Sequence, residues 1–305
     1  MLSGALLLDE SKPFDTRVFY RRSLLAICLL LLFWLLFYAS WRSFLLPGLS
    51  GAQPDYDLFP DYLLTLRGLY PHLWYLFMLA GAYLAIPVLR LFVKQENRSY
   101  ILGMIVLALV SQFAARTLGI LTRNTPFTVS DFISKFHVEY ASGYLPFLLI
   151  GWYLTYCPIG RRARTVLYLF GLLSLVFIVL AVQIWIDSIP EIHAYVAEMD
   201  TLPAVVYGAA LFDAIGRSVG ARETGSRIIR NLSKASFGVY VLHVVFLDAF
   251  TTFLLPAYAC PGMHPLCRLF LIFCLTYGAS LCVVLSLSRI PILRGLFYYS
   301  SADAS

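Results

Sequence analysis

The chain has 305 residues, 60% of them hydrophobic and only 13% charged, with a mean hydropathy of +0.78. Soluble domains hold roughly 45–50% apolar and about 25% charged residues, so a water-soluble globule is excluded and the chain reads as an all-α integral membrane protein. Its apolar residues come in long blocks, not in the alternating pattern of outer-membrane barrels, and its net charge of +6 belongs to membrane-flanking loops rather than to nucleic-acid binding.

The first element, Leu2 to Leu8, is too short to span and runs into Asp9-Glu10. It reads as a stub, the last turns of a span that begins before residue 1. A span needs about 20 mostly apolar residues, and eight blocks approach that length, at 23–41, 72–93, 100–115, 140–157, 165–186, 201–216, 236–256 and 268–287. With the N-terminus in the cytoplasm, alternation places 17 of the 23 Lys and Arg inside. That asymmetry predicts eight transmembrane helices with both termini cytoplasmic. No linker separates domains, so residues 1–305 are expected to form a single membrane domain.

Two outside loops are long. Residues 42–71 carry Pro47, Pro54, Pro60 and Pro71, and residues 116–139 carry Arg116, Arg123, Asp131, His137 and Glu139. Each is either a functional loop or a solvated connection. In the last outside loop Cys260 and Cys267 are either bridged or free. The cysteines lack zinc-ligand spacing, and no metal is expected.

Polar residues inside spans usually face a bundle interior or a cavity. In the seventh block Ser236, Tyr240 and His243 follow at steps of four and three, down one side of a helix. Asp248 and Thr251 lie on the adjoining side. These groups either line a site or hydrogen-bond a neighbouring helix. The second block opens with Pro71-His72-Leu73-Trp74-Tyr75, whose rings are either interface anchors or part of a site. In the third, Gln112 and Arg116 are helical neighbours. The first begins with Phe19-Tyr20-Arg21-Arg22. A basic pair there is either a positive-inside anchor or a phosphate site, in which the anion bridges the guanidinium groups and the free N–H groups of the helix start.

Several segments together resemble the membrane acyltransferase-3 family: Leu2-Ser3-Gly4, Phe19-Tyr20-Arg21-Arg22, His72-Leu73-Trp74-Tyr75-Leu76, Tyr144-Leu145-Pro146-Phe147-Leu148-Leu149-Ile150-Gly151-Trp152-Tyr153, and Leu232 through His243. The resemblance covers nearly the whole chain. It implies a ten-span O-acyltransferase of the bacterial inner membrane. Such an enzyme takes an acyl group, commonly acetyl, from cytoplasmic acyl-CoA and places it on a hydroxyl of an envelope carbohydrate or related acceptor. The family's catalytic His lies on its first span, so the resemblance implies that two spans, the first carrying that His, precede residue 1.

Carried over by position, Arg21 and Arg22 match the family's arginine motif and are implied to hold the acyl-CoA donor. His72, Trp74, Tyr240 and His243 match recurrent family positions and are implied to line or support the acceptor route. Acyl-CoA is a consumed substrate, and no permanently bound cofactor is expected. The expected partners are the lipid bilayer, acyl-CoA and a carbohydrate acceptor. Two other readings of the same interior polar residues are a transporter or flippase of a glycan or small solute, and an inactive truncated remnant.

Overall fold

The computed structural model describes residues 1–65, 70–114, 144–185, 201–220, 227–254, 264–290, 295 and 297. The described chain is 87% helical and holds no strand. In chain order it contains α1 (Leu2–Leu7), α2 (Thr16–Ser50), α3 (Leu58–Thr65), α4 (Trp74–Phe92, entered through the 3₁₀ turn Pro71–Leu73) and α5 (Arg98–Ala108, continued by the π-helix Leu109–Ala114). There follow α6 (Leu145–Tyr156), α7 (Arg161–Trp185), α8 (Leu202–Gly220), α9 (Arg227–Ala249, continued by the π-helix Phe250–Leu254) and α10 (Pro265–Leu287). Among the described residues, five helical stretches are long and apolar enough to cross a membrane: Thr16–Ser50, Pro71–Phe92, Arg161–Ala181, Asn231–Leu254 and Leu266–Leu287. The loop containing Arg116, Arg123, Asp131, His137 and Glu139, the Gln112 side chain, and Cys260 lie outside the described residues. Cys267 is exposed.

The first block is longer than its hydropathy suggests. Asp15 caps the start of α2, its Oδ1 accepting the Val18 N–H at 2.8 Å. The helix then runs on to Gly51, whose φ of 75° closes it in the left-handed conformation that glycine adopts without strain. Pro47 lies inside this run and has no N–H to offer the Ser43 carbonyl. A π-helical turn at Trp41–Leu45 precedes it, and the Asp55 N–H takes the Ser43 oxygen instead, at 3.0 Å.

Contacts group the chain into two compact units. One holds Met1–Pro13 with Ala82–Glu223, the other Phe14–Gly81 with Thr224–Ser305. In the first, α1 lies against α6 backbone to backbone. A Cβ on Gly4 would collide with the Leu148 carbonyl, and one on Gly151 with that of Met1. The Tyr156 hydroxyl donates to the Ala5 carbonyl at 2.8 Å. Arg90 donates to the carbonyls of Leu7 and Asp9 at 2.7 Å and of Lys12 at 2.8 Å. These bonds satisfy oxygens that a helix end otherwise leaves bare. The turn after α1 is tied by Asp9, whose carboxylate accepts from the Ser11 hydroxyl at 2.7 Å; that bond holds its pKa below the usual carboxylate range.

In the same unit α7 and α8 pack closely, Gly171 of α7 facing the Ala210 methyl. Their charges meet at Asp213, which is only 4% exposed. Its carboxylate accepts from the Tyr168 hydroxyl at 2.6 Å and from Arg217 Nε at 3.1 Å, and Arg164 Nε stands 3.4 Å away. The Arg164 contact is an ion pair without hydrogen-bond geometry, since that Nε makes no hydrogen bond. Removing one member of a buried pair costs about 3–5 kcal/mol, and half-exposed Arg217 contributes little of this. Asp213→Ala is therefore expected to destabilise by about 3 kcal/mol and to lower the unfolding temperature in detergent by several degrees. Tyr168→Phe is expected to cost about 1 kcal/mol. An unchanged melting curve for the alanine variant would contradict the buried pair.

Candidate functional site

The second unit is built around aromatic residues that α2 brings to α9. Trp34, Tyr38 and Trp41 of α2 are buried with Leu73, Leu76, Val241 and Val244. Gly238 lets α9 approach α10, since a Cβ there would meet Val284 Cγ1 at 2.8 Å and the Phe297 carbonyl at 2.9 Å. On this base the polar groups assemble. The Tyr38 hydroxyl donates to the Val241 carbonyl at 2.5 Å, and the Tyr240 hydroxyl donates to the His72 carbonyl. Asp248 accepts from Trp41 Nε1 at 3.1 Å and from the Tyr70 hydroxyl. Burial first, and then Asp248, push the Tyr70 phenol upward, so it stays protonated and donates. Arg42 sits 5.4 Å from the Tyr70 ring and 5.6 Å from that of Tyr62.

Two histidines lie within this aromatic wall. The ring centroids of His72 and His243 are 5.4 Å apart at 71°, and that of Tyr240 is 5.8 Å from His72 and 6.2 Å from His243. Three of the positions expected from sequence thus converge. His243 Nδ1 lies 2.6 Å from the Tyr240 carbonyl one turn back. A carbonyl only accepts, so Nδ1 carries the hydrogen in this contact. Both nitrogens of His72 are shielded and find no hydrogen-bond partner among the described residues. A buried imidazole without partners costs stability, and stability alone does not select for it. Apolar walls carrying a few convergent polar groups are the usual form of a ligand site.

The other expected positions stand apart from this cluster. Trp74 is 40% exposed, its ring edge-on to Tyr75 at 6.1 Å. Arg21 and Arg22 lie in the π-helical turn Tyr20–Leu24, both exposed, and among the described residues no acidic group pairs with either. The start of their helix differs from the sequence expectation. It falls at Thr16 and is already capped by Asp15, so an anion there meets guanidinium groups rather than bare N–H groups. From Arg22 to Tyr38 along α2 is roughly 24 Å at 1.5 Å per residue. Sequence reasoning overlooked Tyr38, Trp41 and Tyr70. The first two stand in an unbroken apolar block, and the third in a loop.

One family model, described as an acyltransferase domain and known as acyltransferase-3, matches residues 1–287. No curated protein and no solved structure matches the chain. The matched region runs from α1 to the end of α10 and takes in the arginine pair, the two histidines and Tyr240, and the chain belongs to the acyltransferase-3 family.

Proposed function

We propose that this multi-pass acyltransferase moves an acyl group, acetyl first among the candidates, from cytoplasmic acyl-CoA to a hydroxyl of an envelope carbohydrate at a bacterial inner membrane. In this reading the alcohol oxygen attacks the thioester carbonyl. The C–O bond forms, the C–S bond breaks, the coenzyme A thiol leaves, and a base takes the hydroxyl proton. Arg21 and Arg22 bind the phosphates of coenzyme A, which suit the planar guanidinium fork. His72, Tyr240 and His243, with Trp74 at the rim, line the acceptor route.

The observation that carries the reading is the placement of both features on one helix. The guanidinium pair, unpaired among the described residues, lies near one end of α2, and the aromatic wall with its histidines gathers roughly 24 Å further along, a distance close to the roughly 30 Å hydrocarbon thickness of a bilayer. This supports a donor handled at one face and an acceptor at the other.

The test uses membranes from cells expressing the longest reading frame that includes this chain, supplied with acetyl-CoA labelled in the acetyl group. The expected result is label in the envelope carbohydrate that mild alkali releases, as it does from an ester, with free coenzyme A thiol appearing in equal amount. No incorporation, together with uptake of a labelled glycan into vesicles, would favour the transporter instead.

A further inference from the structure

A cavity in the first unit, Met1–Pro13 with Ala82–Glu223, has chemistry unlike that of the His72–His243 cluster. It encloses about 400 Å³ between α5, α6, α7 and α8, within the range of about 300–1,000 Å³ usual for ligand pockets. Ile105, Ile150, Leu154, Leu167, Val205 and Ala209 form its walls, and among the described lining residues only Tyr153 has a polar side-chain atom. Among the described lining residues none carries a charge, and the Tyr153 hydroxyl alone could meet a hydrogen-bonding solute, so a polar or charged ligand would be poorly satisfied there. A hydrocarbon chain fits it.

The rim is of the opposite character. Pro158 and Gly160 line the cavity and are exposed, so it reaches the surface at the connection from α6 to α7. Arg161 and Arg162 stand in sequence between two lining residues, Gly160 and Ala163. Both are exposed, and among the described residues neither pairs with an acid. Arg164, by contrast, is already committed to Asp213 at 3.4 Å and to the Ile159 carbonyl at 2.9 Å. Two exposed cations, neither paired among the described residues, beside a slot whose described lining carries no charge favour a ligand with a hydrocarbon tail and an anionic head.

We propose that this cavity binds one acyl chain of an anionic membrane phospholipid, with the lipid phosphate held by Arg161 and Arg162. α7 is itself long and apolar enough to cross the membrane, so lipid is the hydrocarbon at hand. Basic rims beside pockets between membrane helices are the usual receptors for acidic head groups. The inference is independent of the acyl-transfer reading and concerns other residues.

The experiment places the full chain in phosphatidylcholine vesicles containing a small fraction of phosphatidylglycerol with a diazirine in one acyl chain. After illumination the cross-linked residues are mapped by mass spectrometry. Labelling is expected on the inner walls, at Ile105, Ile150 and Val205, and the same diazirine on phosphatidylcholine is expected to label them at least fivefold less. Replacing both arginines (Arg161→Gln with Arg162→Gln) should remove that preference. Ala163→Phe, at an exposed lining position, should abolish wall labelling while the melting temperature stays within a degree or two.

Three results would each overturn the proposal: equal labelling by the two head groups, a preference that survives the glutamine pair, or label confined to the outward surface of α7. Displacement of the bound lipid by equimolar palmitoyl-CoA would assign the cavity to a thioester substrate and overturn it as well. None of these readouts depends on acyl transfer.

Discussion

Acyl transfer is expected to fall about 100-fold or more when Arg21 and Arg22 are both replaced by alanine, while the protein still inserts and melts normally. Hydrogen bonds to charged groups contribute about 1.5–3 kcal/mol each, and losing two guanidinium groups from a diphosphate or 3′-phosphate removes several. Stability should not follow, because both side chains are exposed and among the described residues neither pairs with an acid. The lysine pair separates the two explanations of a basic helix start. Lysine keeps the charge that orients a helix but loses the planar two-pronged geometry. Arg21→Lys with Arg22→Lys is expected to keep topology and to lower activity about tenfold, as loss of bidentate contacts would. The measurement is the rate of coenzyme A thiol release in membranes, normalised to protein. A lysine pair with normal rates would reduce the arginines to topological anchors.

Gly151→Val is expected to detach α1 from α6 and to expose residues 1–13 to protease. In an open stretch of helix, replacing glycine by alanine stabilises by about 1 kcal/mol. Gly103 of α5 has nothing within 4 Å of an added Cβ, so Gly103→Ala should be neutral or stabilising. At Gly151 the same methyl group would meet the Met1 backbone, with its carbonyl carbon 2.6 Å and its Cα 2.7 Å away. A backbone cannot rotate aside as a side chain does, so the helices must separate. Gly4 makes the reciprocal contact with Leu148, and separation also breaks the bonds from Tyr156 and Arg90 to the α1 end. Overpacking costs about 1–3 kcal/mol even where neighbours can shift; here even Gly151→Ala should destabilise, opposite in sign to Gly103→Ala. Limited proteolysis and thermal unfolding of the three variants check this. A Gly151→Val protein as resistant as the parent would show that the contact is not close.

The membrane character and helical class were readable from composition, because few charges and long apolar blocks admit no other solution. The grouping of Tyr240 and His243 was readable because a helix repeats every 3.6 residues, and both are polar in an apolar run. Their junction with His72 was only implied by the family resemblance, since 168 residues separate His72 from Tyr240 and no local pattern reports such a pairing. Asp248 was visible as a polar residue, but its partners Trp41 and Tyr70 were not, lying 207 and 178 residues away. Asp213 marked only the ragged end of the sixth block. Its cluster depends on Arg164 and Tyr168 of another helix, two residues that read as an ordinary loop cation and an ordinary aromatic. The length of α2 was underestimated for a different reason: hydropathy sees the apolar stretch, whereas the helix is set by its Asp15 cap and its Gly51 stop.

The wide turn at Tyr20–Leu24 has a consequence for comparing this chain with its relatives. A π-helical turn holds one residue more than an α-helical turn, and each residue of an α-helix advances the angle by about 100°. A helical wheel drawn straight through α2 therefore misplaces Arg21 and Arg22 by that angle relative to Trp34 and Tyr38. A relative with one residue fewer in this turn would present its arginines on the same face only if the turn had tightened to an ordinary one. An alignment gap of one residue at this place is thus the mark of conserved geometry, and an ungapped alignment through it can pair side chains that point in different directions.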